Sequence, residues 1–266
     1  TLSTRKLDAE VSREVAERHN VSVDVGRYNK LIISRDVTRD LSSVVSRART
    51  LYHKSTLPWL DNGQRLLPTK RFNAFMSEER ALKASFFSIS KKITDNWQSI
   101  LDAEKQRLGP LFNIDDYPEP HEIEDKFLFS ITVNPVPVGD DFRASIQSDE
   151  AERIRKEIEA RNQAAMAVAM RDLWKRLYEP VSHMAETLKK EGKTGFHKTL
   201  VTNIMDVCET LSDLNIADDP ALEEMRHKVQ ESLCVFTSED LKKDKELRDM
   251  TAKEADEILK VMEGYV

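Results

Sequence analysis

Gly192-Lys193-Thr194 ends like a phosphate-binding loop, in which backbone N–H groups and a lysine hold phosphates. Such a loop also needs a glycine five positions earlier, where Thr187 stands, and a strand leading into it. A helical pattern leads in instead, so Glu191 to Gly195 is read as a linker between helices. Six histidines (19, 53, 121, 183, 197 and 227) form no HExxH pattern and no zinc spacing with the cysteines. His121-Glu122-Ile123-Glu124-Asp125 has metal-ligand chemistry, yet acids at a first helical turn need no metal, because the helix N-terminus favours negative charge. The acidic pairs Asp115-Asp116 and Asp140-Asp141 could organise Mg²⁺ for phosphoryl chemistry. Asp-rich turns that satisfy their own backbone are the commoner origin of such pairs. No GxSxG element and no Ser/His/Asp or Cys/His set stands out. No catalytic residue, cofactor or metal ligand is nominated.

The basic residues offer a second kind of chemistry. From Arg27 to Arg71 there are ten Lys/Arg against three Asp, a net +7, whereas Asp95 to Glu150 holds thirteen acids and four bases, a net −9. The whole chain carries −6, which excludes nucleic-acid binding over its entire surface. The asymmetry fits a phosphate-facing surface, two complementary protomer faces, or ordinary solvated faces. For the first, Arg35, Arg39, Arg47, Arg49, Lys54, Lys70 and Arg71 are the candidate contacts to DNA or to a protein partner.

Long helices must carry these groups. Charged residues make up 33% of the 266, with only 7 Gly and 9 Pro, the composition of solvated helix rather than sheet. The first third is mixed: Val21, Val23 and Val25 alternate before Leu31-Ile32-Ile33, as in a small hairpin, and a helix follows from Asp36 to Ser55. Pro68 opens a long helix whose Phe72, Phe75, Leu82, Phe86, Ile93, Trp97 and Leu101 recur at three- and four-residue steps, until Gly109-Pro110 stops it. Phe87 falls out of that register and is expected to point elsewhere.

A β insertion is expected at 111–147, with one strand at Phe127 to Val133 and a second at Phe142 to Ile146. A second long helix should run from Ser148 to about Lys190, kinked or divided at Pro180. Shorter helices follow, started by Asp219-Pro220, by Thr237 or Ser238, and by a capping box of Thr251 and Glu254. The fold is therefore mainly α: two long antiparallel amphipathic helices with a small β insertion between them and a C-terminal helical bundle. The segments are 1–67 (mixed and basic), 68–190 (helix pair with insertion) and 191–266 (bundle). No apolar run reaches the roughly 20 residues a membrane span needs, and Thr1 to Lys6 has no signal-like apolar stretch. Cys208 and Cys234 sit among apolar helical residues and read as core thiols, consistent with a reducing cytoplasm.

Three stretches share a spacing with a known group. They are Thr56-Leu57-Pro58-Trp59 with Arg65-Leu66-Leu67-Pro68, then Leu108-Gly109-Pro110 through Asp116-Tyr117-Pro118. The third is Phe127-Leu128-Phe129 through Gly139-Asp140-Asp141-Phe142-Arg143. Over residues 1–190 the chain resembles an uncharacterised family of bacteriophages and integrative mobile elements, a domain of unknown function. The family's genes lie beside those of MoxR-type AAA+ ATPases and von Willebrand factor A proteins. The resemblance implies a bacterial host and an AAA+ ATPase as partner, while the long amphipathic helix pair and the opposite charge of different segments point to a homo-oligomer, and the core thiols to the cytoplasm. Three functions are weighed: a self-assembling, non-enzymatic scaffold or adaptor; a nucleic-acid-binding accessory to recombination or genome protection; and an antagonist of host defence.

Overall fold

A computed structural model describes residues 3–60, 63–138, 148–190 and 199–266. The chain is mainly α-helical, with two small antiparallel strand pairs among the described residues. It forms two compact units, Thr1–Leu51 with Met76–Val133, and Tyr52–Phe75 with Asn134–Val266. Each is discontinuous in sequence.

In the first unit, β1 (Arg5–Leu7) pairs antiparallel with β2 (Asn29–Leu31), placing Lys6 opposite Lys30. The hairpin expected within 21–33 does not form. Val23–Val25 is a 3-10 turn and Val25 is 72% exposed, because that alternation has no sheet face to bury. Helix α1 (Ala9–His19) intervenes instead, capped by the Asp8 side chain, which accepts from Val11 N–H at 3.1 Å. Its stripe is thin, with Ser12 and Ala16 the buried positions, so periodicity scarcely marks it.

Helix α2 (Arg35–Ser55) follows. The first long helix is two: α3 (Thr69–Asp95) and α4 (Trp97–Leu108). Asn96 separates them with ψ near 15°, its side chain donating to the Lys92 carbonyl at 2.8 Å. A side chain that bonds a local carbonyl competes with the helical ladder in this way. Pro68 is buried just outside α3, and Arg71 N–H reaches its carbonyl. Gly109, at φ 54°, ends α4 by donating its N–H to the Lys105 carbonyl.

Two apolar clusters fill this unit. One gathers Ile32, Ile33, Ile93, Trp97, Leu101, Tyr117 and Ile123; the other gathers Val44, Leu82 and Phe86 with Phe127 and Phe129. Phe87 is exposed, as its register requires. The strand expected at 127–133 joins no ladder among the described residues. Phe127 and Phe129 set their rings against Phe86 of α3 instead of a sheet face, and Pro135 and Pro137 beyond have no N–H to donate. The second expected strand, 142–146, lies outside the described residues.

The second unit is a helical bundle. Helix α5 (Ser148–Lys189) packs on α9 (Lys245–Met262) and α6 (Thr199–Leu214), with α7 (Pro220–Leu233) and α8 (Ser238–Lys243) completing it. Pro180 does not divide α5. The buried Leu177, Val181 and Met184 around it hold the helix together although Pro180 gives no N–H to the Arg176 carbonyl. Asp219 caps α7, and Thr237 caps α8 in a capping box with Asp240. The box expected at Thr251 is absent: α9 starts earlier, at its Asp244 cap, and the buried Thr251 hydroxyl donates to the Leu247 carbonyl within the helix. A short pair, β3 (Leu57–Pro58) with β4 (Arg65–Leu66), sets Leu57 into the bundle core. Trp174 stacks on Tyr265 at 4.1 Å between ring centres.

Gly109→Ala tests the α4 terminus. No atom lies within 4 Å of where its Cβ would stand, so the cost is that of the left-handed backbone alone. A loss of about 1–3 kcal/mol in urea unfolding is expected, and an unchanged midpoint would contradict this reading.

Candidate functional site

The most heavily built polar cluster lies in the first unit and centres on Lys30. Its ammonium is 2.8 Å from Asp116 Oδ2 and 3.2 Å from Asp8 Oδ2, and it donates to the Leu111 carbonyl at 2.9 Å. Residue 30 is buried, so these three acceptors replace water. Burial works against the charge. The hydrogen bonds and charges of Asp116 and Asp8 outweigh it, so the lysine pKa is raised above its usual 10.5. Asp8 is held below 3.8, first by the Val11 N–H and, against burial, by Lys30. A lysine held this firmly as an ammonium is neither nucleophile nor base.

Around it the contacts continue. Tyr117 donates its hydroxyl to the Ile32 carbonyl at 2.7 Å, stacks on Phe112, and has its pKa pushed up to about 12 by burial first and the Glu104 charge second. Pro118 offers its carbonyl to Trp97 Nε1 at 3.3 Å. Buried Glu104 accepts Ser34 N–H at 2.7 Å and pairs with Arg107, which also reaches the Leu31 carbonyl. Glu104 thereby fixes the chain just before α2. A cleft of about 280 Å³ opens beside Asp116, lined by Ser3, Lys6, Asp115, Tyr117, Pro118 and Lys126. An apolar groove of about 470 Å³ lies between α1 and the 21–28 loop.

The second unit has its own clamp. Arg65 donates from Nε to Thr56 Oγ1 at 2.7 Å and from a terminal nitrogen to the Thr56 carbonyl at 2.9 Å. Arg176 reaches that same carbonyl at 2.7 Å while paired with Asp172. Burial, then the Arg176 charge, lowers the Arg65 pKa against the pull of Asp172. Two guanidiniums thus meet on one carbonyl, Arg176 tying Thr56 to α5 and Arg65 tying it to the paired strand β4.

The residues expected to contact DNA or a partner divide into two sets. Arg35, Arg39 and Arg49 fall on one exposed line of α2 with the hydroxyls of Ser42 and Ser46 between them, at steps of four, three, four and three residues. That line spans about 21 Å at 1.5 Å per residue. Arg39 also pairs with Asp36. Arg47 is exposed but lies further round the helix. Lys54, Lys70 and Arg71 belong to the second unit, where Lys70 pairs with Asp218 at 3.3 Å and Arg71 with Asp213 at 3.4 Å.

Two of the three motif stretches are polar fastenings. Asp116, Tyr117 and Pro118 lock the first unit, and Gly109 ends α4. Pro58 stands in β3 of the second unit, where Trp59 and Pro68 are buried. Gly139, Asp140, Phe142 and Arg143, together with Asp141 and Gly192-Lys193-Thr194, lie outside the described residues. Asp116 is engaged by Lys30 while Asp115 is exposed, so that acidic pair is split. Among the described residues no group of three His, Cys, Asp or Glu could hold a metal, and the described histidines are exposed. Cys208 and Cys234 are free thiols, pushed up by burial to about 12 and about 11. No described helix is long and apolar enough to cross a membrane.

Sequence reasoning missed Lys30 with Asp8, Glu104, and the Arg65–Arg176 clamp. A lone lysine beside Leu31-Ile32-Ile33 was the available signal for the first. Fold and polar groups together define a mainly α protein in which buried Lys30 and Glu104 fasten backbone. No family model, curated protein or solved structure matches the chain.

Replacing Lys30 with Met leaves two shielded carboxylates without their cation, and about 3 kcal/mol of stability should be lost in urea unfolding. The pH dependence has a definite sign. Asp8, depressed in the fold, stabilises above its ordinary 3.8 and ceases to as pH falls through its lower folded value. Lys30, raised, stabilises below 10.5 and ceases to above its folded value, and Tyr117 adds loss from pH 10 to about 12. Stability should be flat at neutral pH and fall on both flanks. Lys30→Met should shrink both flanks, and identical profiles for the two proteins would refute the pairing.

Proposed function

We propose that this chain is a non-enzymatic scaffold or adaptor of a phage or mobile element, which self-assembles and works with an AAA+ ATPase. The observation that carries this is the N-terminal stretch of α5. From Asp149 to Ala164 it has no buried residue, and Ile154 and Ile158 on its apolar line are only half-buried. Ion pairs of Arg153 with Glu150 and Glu157, and of Lys156 with Glu152, support it along its own length. A solvated helix sustained by its own charges while keeping a narrow apolar line suits a partner surface. The ATPase comes from the family resemblance. Light scattering on a size-exclusion column at micromolar concentration and low salt should give a mass above 30.6 kDa. A strict monomer there would sink the assembly reading.

A second reading, nucleic-acid binding in recombination or genome protection, is favoured by the line Arg35–Arg39–Arg49. Three guanidiniums with serines between them can follow a row of phosphates. DNA retained on filters at 50 mM salt should be released steeply as salt rises. Arg35→Glu with Arg39→Glu and Arg49→Glu should abolish retention without altering the fold. Equal retention by the triple variant would remove this reading.

A further inference from the structure

Phe127 to Val133 is an extended segment that joins no sheet among the described residues. It continues without turn or bend from Phe127, whose φ and ψ are −107° and 105°. Phe127 N–H is taken by the Glu124 carbonyl, but among the described residues no backbone hydrogen bond reaches residues 128–133. Phe127 and Phe129 are anchored on Phe86 of α3, and on the other side Leu128 is 80% exposed, beside exposed Ser130 and Thr132. Ile131 and Val133 are also exposed. Twelve residues, 127–138, pass without one charged side chain. Natural edge strands are usually blunted by lysine, proline or a bulge, and this one carries none of these before Pro135.

The residue order suggests what would lie against it. Turned about Ser130, the segment is complementary to itself. Phe127 would stand opposite Val133 of a second copy, Phe129 opposite Ile131, Leu128 opposite Thr132, and Ser130 opposite Ser130. Each aromatic ring thus meets a β-branched side chain on one face, the kind of cross-strand pair that stabilises antiparallel sheets. No like charges meet anywhere along the ribbon.

We infer that Phe127–Val133 pairs antiparallel with the same segment of a second copy, joining two chains through a two-stranded ribbon centred on Ser130. This rests on the self-assembly reading and names its contact. A C2 contact of this kind is its own complement and closes after two chains. Seven residues a side is well short of the roughly 20–30 of a standard stable interface, so the pairing operates at micromolar rather than nanomolar concentration.

Cysteine placement tests the register. Ser130→Cys brings two sulfurs together across the axis, where paired Cα atoms lie about 4.5–5.5 Å apart, within disulfide reach. Leu128→Cys leaves its symmetry mate four residues along, about 13 Å away, and cannot bridge. Mild oxidation of the full chain should give a dimer band on a non-reducing gel for Ser130→Cys, and little more than the unsubstituted chain for Leu128→Cys. The native thiols, buried Cys208 and half-buried Cys234, are present in every variant and set that background. Equal cross-linking by both variants, or by neither, overturns the register.

Ser130→Lys sets two ammonium groups face to face at an exposed position, so folding should be untouched while the micromolar dimer is lost; Ser130→Thr should keep it. Circular dichroism checks the fold of each. If Ser130→Lys still assembles like the parent, this contact is wrong and the assembly reading survives. If the parent itself is monomeric, the assembly reading fails and this contact with it.

Discussion

A buried ammonium must be surrounded by acceptors, and Lys30 finds three of them on three separate pieces of chain. Asp8 stands at the start of α1, Asp116 in a 3-10 turn, and the Leu111 carbonyl just after α4. The same Asp8 carboxylate caps α1 through Val11, so one side chain both starts a helix and neutralises the lysine. With β2 held there, Ile32 and Ile33 enter the core, Tyr117 can reach the Ile32 carbonyl, and Glu104 can reach Ser34 before α2. Apolar packing supplies most of the favourable energy of such a unit. It is non-directional, and the hydrogen bonds around Lys30 choose which segment lies where.

The second unit solves a related problem with guanidinium. Arg65 and Arg176 both donate to the Thr56 carbonyl, and their mutual repulsion is offset by Asp172, by the Thr56 hydroxyl, and by the Tyr52 ring 5.9 Å beneath Arg65. A planar fork satisfies the Thr56 hydroxyl and carbonyl from two separate nitrogens held in fixed geometry, where a lysine would have a single nitrogen on a flexible stem. The short β3–β4 pair is thereby fixed to α5 and can place Leu57 in the core despite its two-residue strands. In both units these fastenings hold backbone, with Asp116 and Tyr117 in the first and Thr56 and Arg65 in the second.

The parts legible in the sequence were those whose cause is local. Helices α2, α3, α5, α6 and α7 announce themselves through apolar steps of three and four and through caps such as Asp219-Pro220. The exposed line of α2 follows from spacing alone. Helix α1 was hidden because so few of its residues are buried, and the Asn96 break because one side chain hydrogen bond decides it. Thr251 resembled a cap, but its hydroxyl has a helical carbonyl to bond and no need of a terminus. The alternation at 127–133 did mark an extended segment, yet a strand becomes a sheet only with a partner, which alternation cannot supply. The Lys30 cluster lay beyond reach for a different reason: Lys30 and Asp116 stand 86 residues apart along the chain.

That separation also matters while the chain is being made. Tyr117 follows Ile32 by 85 residues, so at about 5–20 residues per second the apolar pair Ile32-Ile33 waits roughly 4–17 s for the segment that will cover it. The whole of residues 52–75, which ends up in the other unit, emerges in that interval. A nascent chain of this design leaves the ribosome with its earliest sticky surface uncovered, and its first unit cannot close until nearly half the protein exists.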